Sequence, residues 1–314
     1  MDLWSDFPRT VLEFEERFGS EESCHAYLVR QRWPEGFRCP GCGHNKAWEL
    51  SRRRLLECRA CHRQVSVTAG TIFHRSRKPL RLWFKAMLLM TSQRPGISAL
   101  SLKRQLGLPS YQTAWTWLHK LRRAMVRPGR EALTGKVEVD EGYVGGEESG
   151  VQGRQTENKS VVVVAVEVKG RAAGRLRMER VEDASAASLN AFVAANVVPG
   201  SAVRTDGWSG YAGLREEGYR HQIRVIGDPE RASRLFPRVH RAFSLLKRWL
   251  LGTHQGAVRP HHLPAYLDEF VFRHNRRSSR SVTLPFQRLC GIAMLTPPVT
   301  YRQIVKGTQL LGVA

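Results

Sequence analysis

Apolar positions change their spacing along the chain, and the changes divide it into segments. Up to residue 38 they recur at helical intervals (Val11, Phe14 and Phe18, then Cys24, Tyr27 and Leu28), which predicts short helices. Ala47–Leu50 and Arg54–Glu57 read as the strands of a small ribbon, and Val65–Phe73 as a β-rich tail. From Pro79 the helical period returns with Leu82, Trp83, Ala86, Met87, Leu88 and Met90. Ser98 then reads as an N-cap before Leu100, Leu102 and Leu106, and Gly107 as a stop. A second helix runs from near Ser110 through Trp115, Leu118, Leu121 and Met125. Two helices joined by a short glycine-containing turn suggest a helix-turn-helix, although a plain helical hairpin has the same pattern. Arg127-Pro128-Gly129-Arg130 reads as a linker.

Beyond the linker the period becomes two. In Lys136–Gly146, Val137 and Val139 alternate with Glu138 and Asp140, predicting a strand with one apolar face, both acids on the other, and Asp140 near its end. A solvated edge strand gives the same pattern. Ser160–Val168 is apolar enough for a central strand, and Arg175–Val181 is a third. Ala184–Asn196 reads as a helix and Val203–Thr205 as a short strand ending at Asp206-Gly207-Trp208, with a further helix expected over Trp208–Glu217. Leu235–Leu251 is a helix opening near Pro237, and Phe286, Leu289, Cys290 and Met294 mark a closing helix. The boundaries fall at 1–76 for N-terminal helices and ribbon, 77–130 for the helix-turn-helix region, and 131–314 for an α/β domain with basic C-terminal helices.

Charge adds a partner to this outline. Fifty Lys and Arg against 28 Asp and Glu leave a formal charge of +22. A surplus that large favours a polyanion, with nucleic acid ahead of an anionic membrane. No apolar run approaches the roughly 20 residues of a membrane span. The N-terminal residues carry no basic region followed by an apolar core, so a cytoplasmic, nucleoid-associated protein is expected.

Cys39-Pro-Gly-Cys42 and Cys58-Arg-Ala-Cys61 are two Cys-x2-Cys knuckles, the spacing of a four-sulfur tetrahedral zinc site. Such a site is closed and structural, and the ion would fold a platform too small for a core of its own. Cys24 and Cys290 stand apart and read as buried thiols.

Together these features resemble the bacterial insertion-sequence transposases of DDE type that join an N-terminal zinc ribbon to an RNase H-like catalytic domain. The resemblance rests on the ribbon with its Ser66–Phe73 tail, on Val139-Asp140-Glu141, on Thr205-Asp206-Gly207-Trp208, and on the C-terminal helices. It implies an α/β core with a mixed sheet, and Mg²⁺ or Mn²⁺ held by Asp140 and Asp206. It also implies a third ligand, usually Glu and sometimes Asn, on a later helix that carries a Lys. Lys247 matches that lysine, and a Glu with two Arg four and seven residues on matches Glu269, Arg273 and Arg276.

At the third position, seven residues before Lys247, this sequence has His240. Three readings stay open. His240 is a variant ligand or proton carrier; another acid (Asp228, Glu230 or Glu269) reaches the site; or this copy is inactive. Residues 231–280 hold eleven Lys and Arg against Asp268 and Glu269. With Arg122 and Arg123 on the second helix of the hairpin, Arg248, Arg273 and Arg276 are the expected DNA contacts. The implied partners are double-stranded transposon ends and target DNA, with at least a dimer on the DNA and no membrane. A non-enzymatic DNA-binding regulator explains residues 1–130 equally well, and an RNase H-like nuclease would use the same metals.

Overall fold

The computed structural model describes residues 7–50, 53–145, 159–225, 235–279 and 281–307. These fall into two units, one ending at Arg127 and resuming at Ser278, the other spanning Pro128–Arg277.

The first unit opens with α1 (Val11–Arg17) and α2 (Glu21–Arg32), whose first turns are capped by the hydroxyls of Thr10 and Ser20. An antiparallel ribbon follows: β1 (Ala47–Leu50), β2 (Leu55–Cys58) and β3 (Gln64–Ser66). The tail after Ser66 forms successive turns instead of extended chain. Three helices complete the run: α3 (Leu80–Ser92), α4 (Ala99–Leu106) and α5 (Tyr111–Arg123). Ser98 caps α4 and Gly107 ends it in the left-handed region at φ 59°, as the sequence predicts, and Ser110 caps α5, which begins where it was expected. Trp83 of α3 and Trp117 of α5 stack with ring centroids 3.9 Å apart.

The closing segment departs from expectation. Its helix, Leu284–Leu295, packs on α2 and α3 of the first unit and does not extend the α/β domain. Phe286 is fully buried, 4.7 Å from the ring of Phe14 and 5.3 Å from that of Phe84. Burying one such ring contributes about 1.5–3 kcal/mol. Cys24 and Cys290 are both fully buried, and burial pushes the Cys24 thiol up to about 12.

The second unit is a five-stranded mixed sheet covered by helices on both faces. Its strands are β4 (Lys136–Val144), β5 (Ser160–Lys169), β6 (Ala172–Val181), β7 (Ala202–Thr205) and β8 (Gln222–Ile223), in the order β6-β5-β4-β7-β8. β4 pairs antiparallel with β5 and parallel with β7. On one face α6 (Ala186–Asn196) covers Val137, Val139, Val163 and Val203. On the other lie α7 (Pro237–His254) and α8 (Leu263–His274), over Val144, Val162, Val164 and Val166. Pro237 sits in the first turn of α7, where its missing N–H costs nothing. This is the expected α/β core with a mixed sheet.

One alternative falls away and one local reading changes. The Glu138 face of β4 is not solvated, because β4 is a central strand and Glu138 is fully buried beneath α7. The segment after Trp208 forms only a 3-10 turn, Ser209–Tyr211, where a helix was expected. A Cβ on Gly210 would lie 2.6 Å from the carbonyl of Ala184 and 2.5 Å from the Trp208 indole nitrogen, so only glycine fits in this turn.

Candidate active site and zinc ribbon

β4 carries the centre of the candidate site. Side chains alternate across a strand, so the even-numbered positions share one face. Glu138 meets Arg238 at 2.7 Å on that face, and it also accepts the Arg238 backbone N–H at 3.1 Å. Arg238 reaches on to the carbonyls of Ala172 and Gly170 in the β5–β6 turn. Two residues along β4, Asp140 lies with Oδ2 3.8 Å from Nε2 of His240. Two further on, a Cβ on Gly142 would stand 2.9 Å from the ring of Phe243, so only glycine lets α7 come this close. The first half of α7 is thus seated on β4 by Arg238 and Phe243, with His240 between them.

β7 brings the second acid. In the parallel register Lys136 stands opposite Ala202 and Glu138 opposite Arg204, which places Asp140 level with Asp206 two residues on. Neighbouring strands lie about 4.8 Å apart. The two carboxylates therefore belong to the same end of adjacent strands. Each has one oxygen held by the backbone: Asp140 Oδ1 accepts from Glu141 N at 2.9 Å, and Asp206 Oδ1 from Trp208 N at 3.0 Å. Tyr211 feels the charge of both. Burial raises its phenol well above the ordinary value, and the charges of Glu141, Asp140 and Asp206 add to the rise. Tyr211 also donates to Glu141 Oε2 at 2.8 Å, tying the loop after Asp206 to β4. The sequence reading missed this residue; its place five residues past Asp206, after two glycines, is the signal it gives.

His240 is half-buried. Burial pulls its imidazole below the ordinary value, against the opposing charge of Glu138, so the ring is neutral at pH 7. Its Nε2 is shielded from solvent and makes no hydrogen bond.

The remaining site candidates separate. Lys247 and Arg248 are exposed on α7. Glu269 is fully buried and holds Arg273 at 3.6 Å, and the Arg273 guanidinium lies over the Trp249 ring. Glu269 is thereby committed to an internal bridge, not to Asp140. Arg276 lies 3.7 Å over the ring of Phe272. Asp228 and Glu230 lie outside the described residues. Arg122 is a correction: only 1% of it is exposed, because it shares the apolar face of α5 with Leu118 and Leu121, so it presents nothing to DNA. Arg123 is half-buried, and burial lowers its basicity.

In the ribbon the four cysteine sulfurs lie within 4.8 Å of one another. Cys39 and Cys61 are 3.6 Å apart and Cys42 and Cys58 3.5 Å. Zn–S bonds of about 2.3 Å set tetrahedral sulfurs about 3.8 Å apart, so the donors fit that ion. Backbone N–H groups of Cys42 and Gly41 pull the Cys39 thiol down to about 6, toward the thiolate a metal needs. Among the described residues these cysteines are the one group of three or more ligand atoms gathered so tightly; the Asp140–Asp206–His240 set is more open. No helix among the described residues is long and apolar enough to cross a membrane.

Comparison with known proteins agrees with both halves. Residues 132–275 match the ISXO2-like transposase domain, and residues 19–64 match the transposase zinc-ribbon domain. An uncharacterized protein in transposable element ISH50 of Halobacterium salinarum is 28% identical over 283 residues, covering 82% of this chain and 91% of that one. An RNase H-like core with paired strand-end aspartates, behind a four-cysteine ribbon and matched along most of its length by a mobile-element protein, places the chain among the DDE-type insertion-sequence transposases that carry a zinc ribbon.

Proposed function

We propose that this transposase cuts and joins DNA at a site formed by Asp140, Asp206 and His240. The carrying observation is the register of β4 and β7, which levels the two aspartates, with His240 3.8 Å from the first. The donors suit divalent ions. Metal–oxygen and metal–nitrogen bonds of about 2.1 Å can span 3.8 Å through one ion, and the buried Nε2 of His240 has no other partner. When bound, Mg²⁺ or Mn²⁺ would stabilise the attacking and leaving oxygens of an in-line displacement. Asp140 and Asp206 would hold the ions, and backbone N–H groups already fix one oxygen of each. The neutral His240 can serve as a ligand or accept a proton. Lys247 and Arg248, exposed further along α7, would hold a DNA phosphate as point charges. The helices at 80–123 would bind transposon-end DNA, and two ends held together imply at least a dimer.

Asp140→Asn and Asp206→Asn, assayed separately for nicking of end-bearing DNA with Mg²⁺, test the site. Full activity in either variant removes that residue. His240→Ala and His240→Glu, compared in Mg²⁺ and Mn²⁺, test the third position. Imidazole suits Mg²⁺ less than carboxylate does. The glutamate variant is expected to gain most in Mg²⁺, and an alanine variant with unchanged rates would take His240 out of the site.

A further inference from the structure

The ribbon's tail, Ser66–Phe73, has no part in the chemistry above. It lines a groove of about 700 Å³ in the first unit, together with the start of α2, the β1–β2 turn and the segment leading into α3. We infer that this groove binds a backbone phosphate of the DNA, through Arg77, Lys78 and Arg53. The inference rests on the transposase reading only for the identity of the polyanion.

Charge bookkeeping in the groove carries the inference. Five basic residues line it, Arg53, Arg54, Arg77, Lys78 and Arg81, against Glu21 and Glu22. Both acids are already engaged. Glu21 accepts the backbone N–H groups of Leu80 at 2.7 Å and Arg81 at 3.2 Å, capping α3. Arg54 bridges to Glu21 at 3.5 Å and to Glu22 at 3.3 Å. Arg81 donates to the carbonyl of Gly19. Among the described residues no carboxylate pairs with Arg53, Arg77 or Lys78, and all three are exposed.

Two further features favour an anion with oxygen acceptors. The Lys78 N–H donates to Ser76 Oγ at 3.3 Å, and Ser76 Oγ also accepts the Trp83 indole N–H at 2.8 Å, so the loop carrying Arg77 and Lys78 is fixed at its base. His25, 7% exposed, also lines the groove, and its buried Nε2 has no hydrogen-bond partner. Cations on an anchored loop, in a groove that an imidazole also lines, suit a phosphodiester better than an apolar ligand.

The test measures binding of end-bearing duplex DNA to the full zinc-loaded chain, across a salt series and without added divalent metal so that no cutting is expected. Arg77→Ala/Lys78→Ala is expected to weaken binding about tenfold or more, and to lower the slope of log affinity against log salt by about one to two. Arg53→Gln should lower it by about one or less. Unchanged zinc content and circular dichroism show that each variant folds. An unchanged slope in both variants overturns the groove. So does displacement of inorganic phosphate, used as a competing probe, with no effect on DNA. If the wild-type chain fails to nick DNA while the slope still falls, the groove stands and the catalytic reading fails. If it nicks normally with the slope unmoved, the groove alone is wrong.

Discussion

Removing Arg238 should be among the most damaging single changes in the α/β unit, although the residue is not assigned to the chemistry. Glu138 has no exposed side-chain surface, and its partners are the Arg238 guanidinium and the N–H of the same residue. Arg238→Ala keeps the N–H and deletes the cation, which leaves a carboxylate buried without compensating charge. Breaking a buried pair in this way costs about 3–5 kcal/mol, against a total stability of about 5–15. Glu138→Gln is milder, because the amide still accepts from Arg238 and the guanidinium keeps the carbonyls of Gly170 and Ala172; a cost of about 1–3 kcal/mol is expected. Glu138→Leu with Arg238→Met removes both charges and should approach wild type. Amide hydrogen exchange of peptides from 136–144 and 237–254 reads the loss locally, free of the other unit. A cost below about 1 kcal/mol for Arg238→Ala, or a double variant as weak as the single, would refute the reasoning.

Gly142→Ala should displace α7, since its Cβ meets the Phe243 ring at 2.9 Å; overpacking costs of about 1–3 kcal/mol are expected in denaturant titration, with nicking lost in step. Cys58→Ser should release zinc, measured by metal content, and expose the ribbon to protease at temperatures where the α/β unit stays intact. Two groups on α8 give opposing pH dependence. Burial lowers His274 to about 4, so its contribution to stability is full above its unfolded value of about 6.5 and is lost as pH falls toward 4. Burial raises Asp268 to about 7, so its contribution is lost as pH rises from about 4 to 7. Asp268→Asn should therefore unmask acid lability and His274→Gln the reverse, each by at most about 1.4 kcal/mol per pH unit and less for the partly exposed Asp268, seen as thermal midpoints from pH 4 to 7.

Local features of this chain were legible in the sequence, and long-range burial was not. The serine cap at Ser98, the helix start at Ser110, the stop at Gly107 and the opening of α7 at Pro237 are each set by chemistry within four residues, and each is where the pattern placed it. The burial of Glu138 was not legible, because its partner lies one hundred residues away. Period-two alternation identifies a strand but not whether its polar face meets water or a buried arginine. Arg122 did carry a warning: it follows Leu118 by four and precedes Met125 by three, the apolar stripe of its own helix. The closing helix of the chain was predicted correctly as a helix but assigned to the wrong unit, since amphipathic period says that a face is covered and not by what.

The site shows the same division more sharply. The resemblance, which puts the third group seven residues before the lysine, singled out His240, and a helix repeats its face at that spacing whatever occupies it. Spacing alone could not say whether a histidine there still belonged to the site. That depended on β4, where Glu138, Asp140 and Gly142 meet Arg238, His240 and Phe243 in turn. A salt bridge at one end and a glycine contact at the other hold the helix so that residue 240 faces Asp140 whether it is an acid or an imidazole. In the proposed site the frame fixes where residue 240 stands, and the identity of that residue sets only its charge. Burial then keeps the imidazole neutral, so a site built with His240 has one negative charge fewer than its acid-bearing counterpart and draws correspondingly less on a hard cation.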